Sequence, residues 1–137
     1  MMQPIIPFSS LNWSEAIDSL NQKGFALFSD VVSTEVCHTF IEMYDTREAY
    51  RSVIDMKRYN FGLGEYKYFS YPLPVVIEQL RSGLYPYLAS VANDWMHKLG
   101  IPVHYPETLS AFLELCHQKG QHRPTPLILK YKKGDFN

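Results

Sequence analysis

The chain has 137 residues, of which 46% are hydrophobic and 20% charged, a globular composition sufficient for one domain with its own core. Its net charge of -1 provides no global field toward nucleic acid or an anionic membrane surface. No segment approaches the ~20 apolar residues of a membrane span, and Met1 to Pro4 lack the basic and apolar regions of a leader, so the expected setting is cytoplasmic.

Residues 1–9 read as a proline-containing arm. A helix is expected from Ser10 to Lys23, capped by Asn12 or Ser10, with Ile17 and Leu20 on one face and Gly24 ending it. Phe25 to Phe28 reads as a short strand. Ser33 caps a second helix with the stripe Val36, Cys37, Phe40, Ile41 and Tyr44. The stretch from Thr46 to Pro74 is irregular and hairpin-like. It holds Phe61-Gly-Leu-Gly64, then the strand-favouring aromatic run from Glu65 to Tyr71, and closes on Pro72 and Pro74.

A long helical region follows from Val75 to Leu99. Pro86 interrupts it, so two helices or one kinked helix are expected, stopped by Gly100. Another helix spans Glu107 to Lys119 with the stripe Leu109, Phe112, Leu113 and Cys116, and ends at Gly120. Leu127 to Tyr131 reads as a buried strand, residues 132–135 as a turn, and Phe136 as the start of a return strand. The fold class is α+β: mainly helices, a strand near each end and a hairpin-like middle. An unpaired last strand would be a liability. An earlier strand, another chain or further polypeptide would have to pair with it.

Metal-site spacing is absent. His38, His97, His104, His117 and His122 are scattered, with no His-x-Asp, His-x-x-x-His or Cys-x-x-Cys. Cys37 and Cys116 each precede a histidine on a predicted helix, where neighbours point about 100° apart. They read as small core residues in a reducing compartment, and the histidines as boundary or surface residues. There is no Gly-x-Ser-x-Gly, and Phe61-Gly-Leu-Gly64 lacks the third glycine and the lysine of a phosphate loop. Arg51, Lys57, Arg58, Lys67, His122, Arg123, Lys130, Lys132 and Lys133 are interleaved with aromatics, as in single-strand binders. Asp55, Glu65 and Asp135 interrupt that run, so a solvated mixed face is the plainer reading. If these segments converge, a pocket for a small anion fits better than a nucleic-acid groove, and nucleic acid ranks last among the ligands.

The run from Arg51 to Pro74, together with Arg123-Pro-Thr-Pro-Leu-Ile-Leu-Lys-Tyr131 and Gly134-Asp-Phe-Asn137, resembles a bacterial group of Fe(II)- and 2-oxoglutarate-dependent oxygenases similar to prolyl hydroxylases. Gly24 to Phe28, followed by a helix from Ser33, resembles the opening of many such enzymes. The resemblance implies a complete fold that is a double-stranded β-helix (jelly roll), with Fe(II) and 2-oxoglutarate as cofactors. It implies iron held by a His-x-Asp motif shortly after the Lys-Tyr strand and turn, and by a later histidine. No such motif occurs in this chain. The resulting expectation is the N-terminal portion of an oxygenase, residues 1–137 as a single domain, without the iron ligands and inactive as it stands. No catalytic or metal residue is assigned.

By resemblance, Tyr131 matches a strand tyrosine that approaches 2-oxoglutarate, and Lys130 would point to the opposite strand face. Arg58, Tyr59, Tyr66 and Tyr68 are candidates for a substrate-facing or lid segment, and hairpin packing would account for them equally. The complete enzyme would take a small-molecule or protein substrate. The alternative is a non-catalytic interaction module, homodimeric through its terminal strand.

Overall fold

The computed structural model describes residues 5–137. Of the expected arm, residues 1–4 lie outside that range. The elements in order are α1 (Trp13–Lys23), α2 (Thr34–Met43), β1 (Tyr50–Asp55), β2 (Glu65–Phe69), α3 (Val75–Lys98), α4 (Leu109–Gln118) and β3 (Leu127–Lys130), with short 3-10 turns between. The fold is α+β: four helices and a three-stranded antiparallel sheet of order β1-β2-β3.

The helix ends follow from side-chain chemistry. Asn12 Oδ1 accepts from the Glu15 amide at 3.2 Å, Ser33 Oγ from Val36 at 3.4 Å and Thr108 Oγ1 from Ala111 at 3.3 Å. Gly24 closes α1 at φ 81°, a left-handed conformation that glycine adopts without a Cβ penalty. Pro86 neither splits nor ends its segment, because α3 runs unbroken through it.

α3 is the helical spine. Trp13 stacks on Tyr87 at 4.2 Å, meets Phe28 edge-on at 5.0 Å and donates to the Phe8 carbonyl at 2.8 Å. Toward α4, Tyr85 stacks on Phe112 at 5.6 Å and donates to Pro106 O at 2.9 Å, while Asn93 donates to and accepts from the Tyr105 backbone.

The structure corrects several expectations. Phe25 to Phe28 forms no strand; Ile5 instead bridges Val32 nearby. Tyr50–Asp55 is a strand that the residue pattern left irregular. Phe136 starts no return strand beside β3 and forms an isolated bridge to Leu63. Cys37 is exposed, as is Ile41 at 69%, because no element covers that side of α2. β3 is half exposed, and it pairs with β2.

The sheet holds the deepest packing. Phe69 is 0% exposed and Met56 1%, and the Phe69 ring lies 5.1 Å from that of Tyr50. Replacing Phe69 by alanine is expected to cost about 3–5 kcal/mol and Phe69→Leu under about 1.5 kcal/mol, read as urea midpoints at constant m-value. Equal midpoints for the two variants would contradict this placement of the core.

Candidate functional site

The register sorts the sheet into two chemically different faces. Tyr66 opposes Ile54 and Leu129, and Tyr68 opposes Ser52 and Leu127. These residues share one face, because side chains alternate along a strand. Of these, Tyr66, Tyr68, Leu127 and Leu129, with Met56, Phe61 and Asn137, line a shallow hollow of about 260 Å³. Tyr66 and Tyr68 meet edge-on at 5.6 Å.

Tyr131 lies just past the end of β3, outside the lining of the hollow. Its ring lies over Gly64, where a Cβ would come within 2.9 Å of two ring carbons. Gly64 also holds φ 139°, so glycine is required there both for space and for backbone conformation. Arg51 closes the other end. Its Nε and Nη2 donate to Pro124 O at 3.1 and 2.9 Å, and its guanidinium stands 4.4 Å from the Tyr68 ring centre.

The opposite face carries Glu65 and Lys67 of β2 and Lys130 of β3, gathered around Tyr44 from the end of α2. Tyr44 Oη donates to Glu65 Oε1 at 2.8 Å and Lys67 Nζ donates to Tyr44 O at 2.7 Å. Lys67 and Lys130 lie 4.0 and 4.8 Å from the Tyr44 ring centre. Burial, followed by the hydrogen bond to Glu65 and its charge, pushes the Tyr44 hydroxyl well above its usual range. Tyr50 is raised too, by burial and by the charge of Asp45.

The structure thus brings together two of the sequence-named residues, Tyr66 and Tyr68, whereas Tyr131 packs on Gly64 outside the lining of the hollow. Tyr59 sits at the rim, stacked on Phe61 at 5.9 Å. Arg58 is exposed beside it and is not part of the hollow. Lys130 faces away from Tyr131, as strand alternation requires. Sequence reasoning missed Tyr44 and the Arg51 clamp. The signal for Tyr44 was its place at the end of an apolar stripe, but its partners lie more than twenty residues away.

Among the described residues no three His, Cys, Asp or Glu side chains converge to hold a metal ion. His117 and His122 face each other at 5.2 Å without a third ligand. The residues present therefore do not fit a facial-triad iron.

Residues 64–137 match the model of a family described as an oxygenase catalysing oxidative methylation of damaged DNA. The chain belongs to this oxygenase family. The family segment begins at Gly64, against which Tyr131 packs, and includes β2, both large C-terminal helices and β3. Two uncharacterized proteins of Mycobacterium tuberculosis, from strains CDC 1551 / Oshkosh and ATCC 25618 / H37Rv, are each 45% identical over 69 residues. That stretch is 50% of this chain and 30% of each relative, so the match spans under a third of the relatives' length. No solved structure matches the chain. No helix is long and apolar enough to cross a membrane among the described residues.

The two faces make a testable distinction in pH. Tyr44 has a folded pKa above its unfolded value of about 10, so the unfolded chain loses that proton first as pH rises. Its contribution is complete below pH ~10 and is lost as pH climbs beyond it. Stability is expected to fall above pH ~10, less steeply in Tyr44→Phe. Identical alkaline slopes for the two proteins would refute the assignment.

Proposed function

We propose that the chain is part of an Fe(II)- and 2-oxoglutarate-dependent oxygenase of the prolyl-hydroxylase-like kind, and that the Tyr66–Tyr68 face, with Tyr131 beyond its end, is its contribution to the reaction chamber. The observation that supports this reading is the pairing of Tyr66 and Tyr68 with Leu129 and Leu127 on one sheet face, with Tyr131 packed on Gly64 just beyond it, within a segment that matches an oxygenase family. In this reading Tyr131 supplies one hydroxyl toward the co-substrate. Leu127, Leu129 and Tyr66 supply a water-poor floor, and Arg51 fixes Tyr68. Bound Fe(II) and 2-oxoglutarate would supply the oxidising chemistry. Because the described residues hold no ligand trio, no step through iron is assigned to them, and the chain alone is expected to be inactive.

The substrate in this proposal is DNA with an accessible base, in keeping with the damaged DNA that the family description names. Tyr59 and Phe61 are stacked, 51% and 55% exposed, beside exposed Lys57 and Arg58. The Leu63–Phe136 bridge, with hydrogen bonds of 2.7 and 3.0 Å, ties this segment to exposed Phe136, Lys132 and Lys133. Of the acidic residues that interrupt the basic run, Glu65 turns away from the platform, and Asp55 and Asp135 are held by backbone amides at its edge. Glu65 is bonded to Tyr44, Asp55 accepts from the Lys57 amide and Asp135 from the Lys132 amide. What remains is a small platform of aromatics edged by cations, the combination that takes unpaired bases.

Two measurements test the proposal. With ferrous iron and 2-oxoglutarate, the full-length Mycobacterium relatives are expected to form succinate and this chain none. Turnover by this chain alone would overturn the expected inactivity, and relatives that consume no 2-oxoglutarate would overturn the cofactor reading. In anisotropy titrations with a labelled single-stranded oligonucleotide, Tyr59→Ala and Phe61→Ala should each weaken binding about ten-fold. Lys132→Gln should flatten the salt slope by roughly 0.7. Binding that ignores both the aromatics and salt would rule out the platform.

A further inference from the structure

One buried side-chain polar atom lacks a hydrogen-bond partner among the described residues: Nη1 of Arg81. Such orphans are rare in folded proteins and costly when charged, so each needs an account. Arg81 takes no part in the ion pairs of the described residues, which join Lys67 to Glu65 and Lys98 to Asp94. Glu78, three residues earlier on α3, accepts from Ser82 instead.

Arg81 lies in the wall of an open groove of about 420 Å³ between α3, α4 and the segment leading into β3. The groove is otherwise apolar, with Ile77, Leu84 and Leu88 along α3 and Leu109 and Phe112 from α4. The Tyr85 hydroxyl is already committed to Pro106 O, which leaves Thr125 as the other polar side chain in the lining. A single guanidinium in an apolar trough calls for one carboxylate on an apolar body. The planar fork matches a carboxylate in two parallel hydrogen bonds. A polyphosphate or a sugar would find only the Thr125 hydroxyl as a further side-chain donor there.

We propose that this groove binds an amphipathic monocarboxylate, of which a medium-chain fatty acid is the simplest case. The carboxylate takes Arg81 and the chain lies along α3 over Leu84 and Leu88. From Arg81 to Leu88 is about 10 Å at the helical rise per residue, the reach of an eight- to ten-carbon chain. Arg81 as a whole is half-buried, so its guanidinium opens to the groove by the kind of side-chain rotation that commonly accompanies binding. The site lies on α3, α4 and the segment before β3, shares no lining residue with the tyrosine hollow, and does not depend on the oxygenase chemistry.

The test is titration of the full chain, nitrogen-labelled for amide shifts, with decanoate and with methyl decanoate below their aggregation limits. Saturable shifts are expected at residues 77–88 and 109–112, with decanoate at least about ten-fold tighter than its ester. Arg81→Met, which keeps an apolar stem, should bring decanoate down to the affinity of the ester. Should that variant fail to fold, the acid-to-ester ratio on the native chain decides alone. Equal affinity for acid and ester, shifts confined to other elements, or no saturable binding would overturn the proposal. A concentration-dependent dimer that covers the groove and abolishes decanoate binding would overturn it as well.

Discussion

β2 is hydrogen-bonded along both edges, and the remaining sheet geometry depends on that strand. Its partner β1 arrives by a local hairpin, which costs little chain entropy to close. β3 arrives after two helices and must hold its register over a long loop. The contacts that fix it are few and specific. Arg51 grips the Pro124 carbonyl, the Phe69 amide donates to Pro126 O at 3.0 Å, and Leu63 bridges Phe136 beyond the strand. All three anchor the approach to β3 or its exit, so the pairing of Lys67 with Ile128 is determined from both ends.

That register has a chemical consequence through strand parity. A one-residue slip would exchange the faces, placing Lys130 in the hollow and Leu129 against Tyr44. In the observed register the cations and Glu65 gather on the Tyr44 side, and the tyrosines with leucines on the other. The segregation leaves one face suited to an apolar chamber with hydroxyls, and keeps the charged network beneath it. Gly64 contributes at the same junction, since a side chain there would displace the Tyr131 ring.

The helices were legible because their ends carry their own signals. Asn12, Ser33, Gly24, Gly100 and Gly120 act within four residues of themselves, and local chemistry decides them. The strands were less so. In β1 the half-buried positions are Tyr50, Ser52 and Ile54, and Val53 is 53% exposed, so the polarity of the side chains does not follow their burial. Phe25 to Phe28 has strand composition and no partner to pair with, so composition alone misleads. At the site, Tyr66 and Tyr68 were readable from their period of two. The Arg51 clamp was not, because its acceptor is a backbone carbonyl 73 residues away.

The docking of β3 on β2 is the point on which the tyrosine face, and with it the oxygenase reading, rests. Native-state hydrogen exchange followed residue by residue addresses it directly. Amides paired between residues 65–69 and 127–130 should exchange together, far more slowly than the exposed turn at 132–134. If residues 127–130 exchanged as fast as that turn while 50–55 stayed protected, β3 would be undocked in solution and the face that pairs Tyr66 and Tyr68 with Leu129 and Leu127 would not exist.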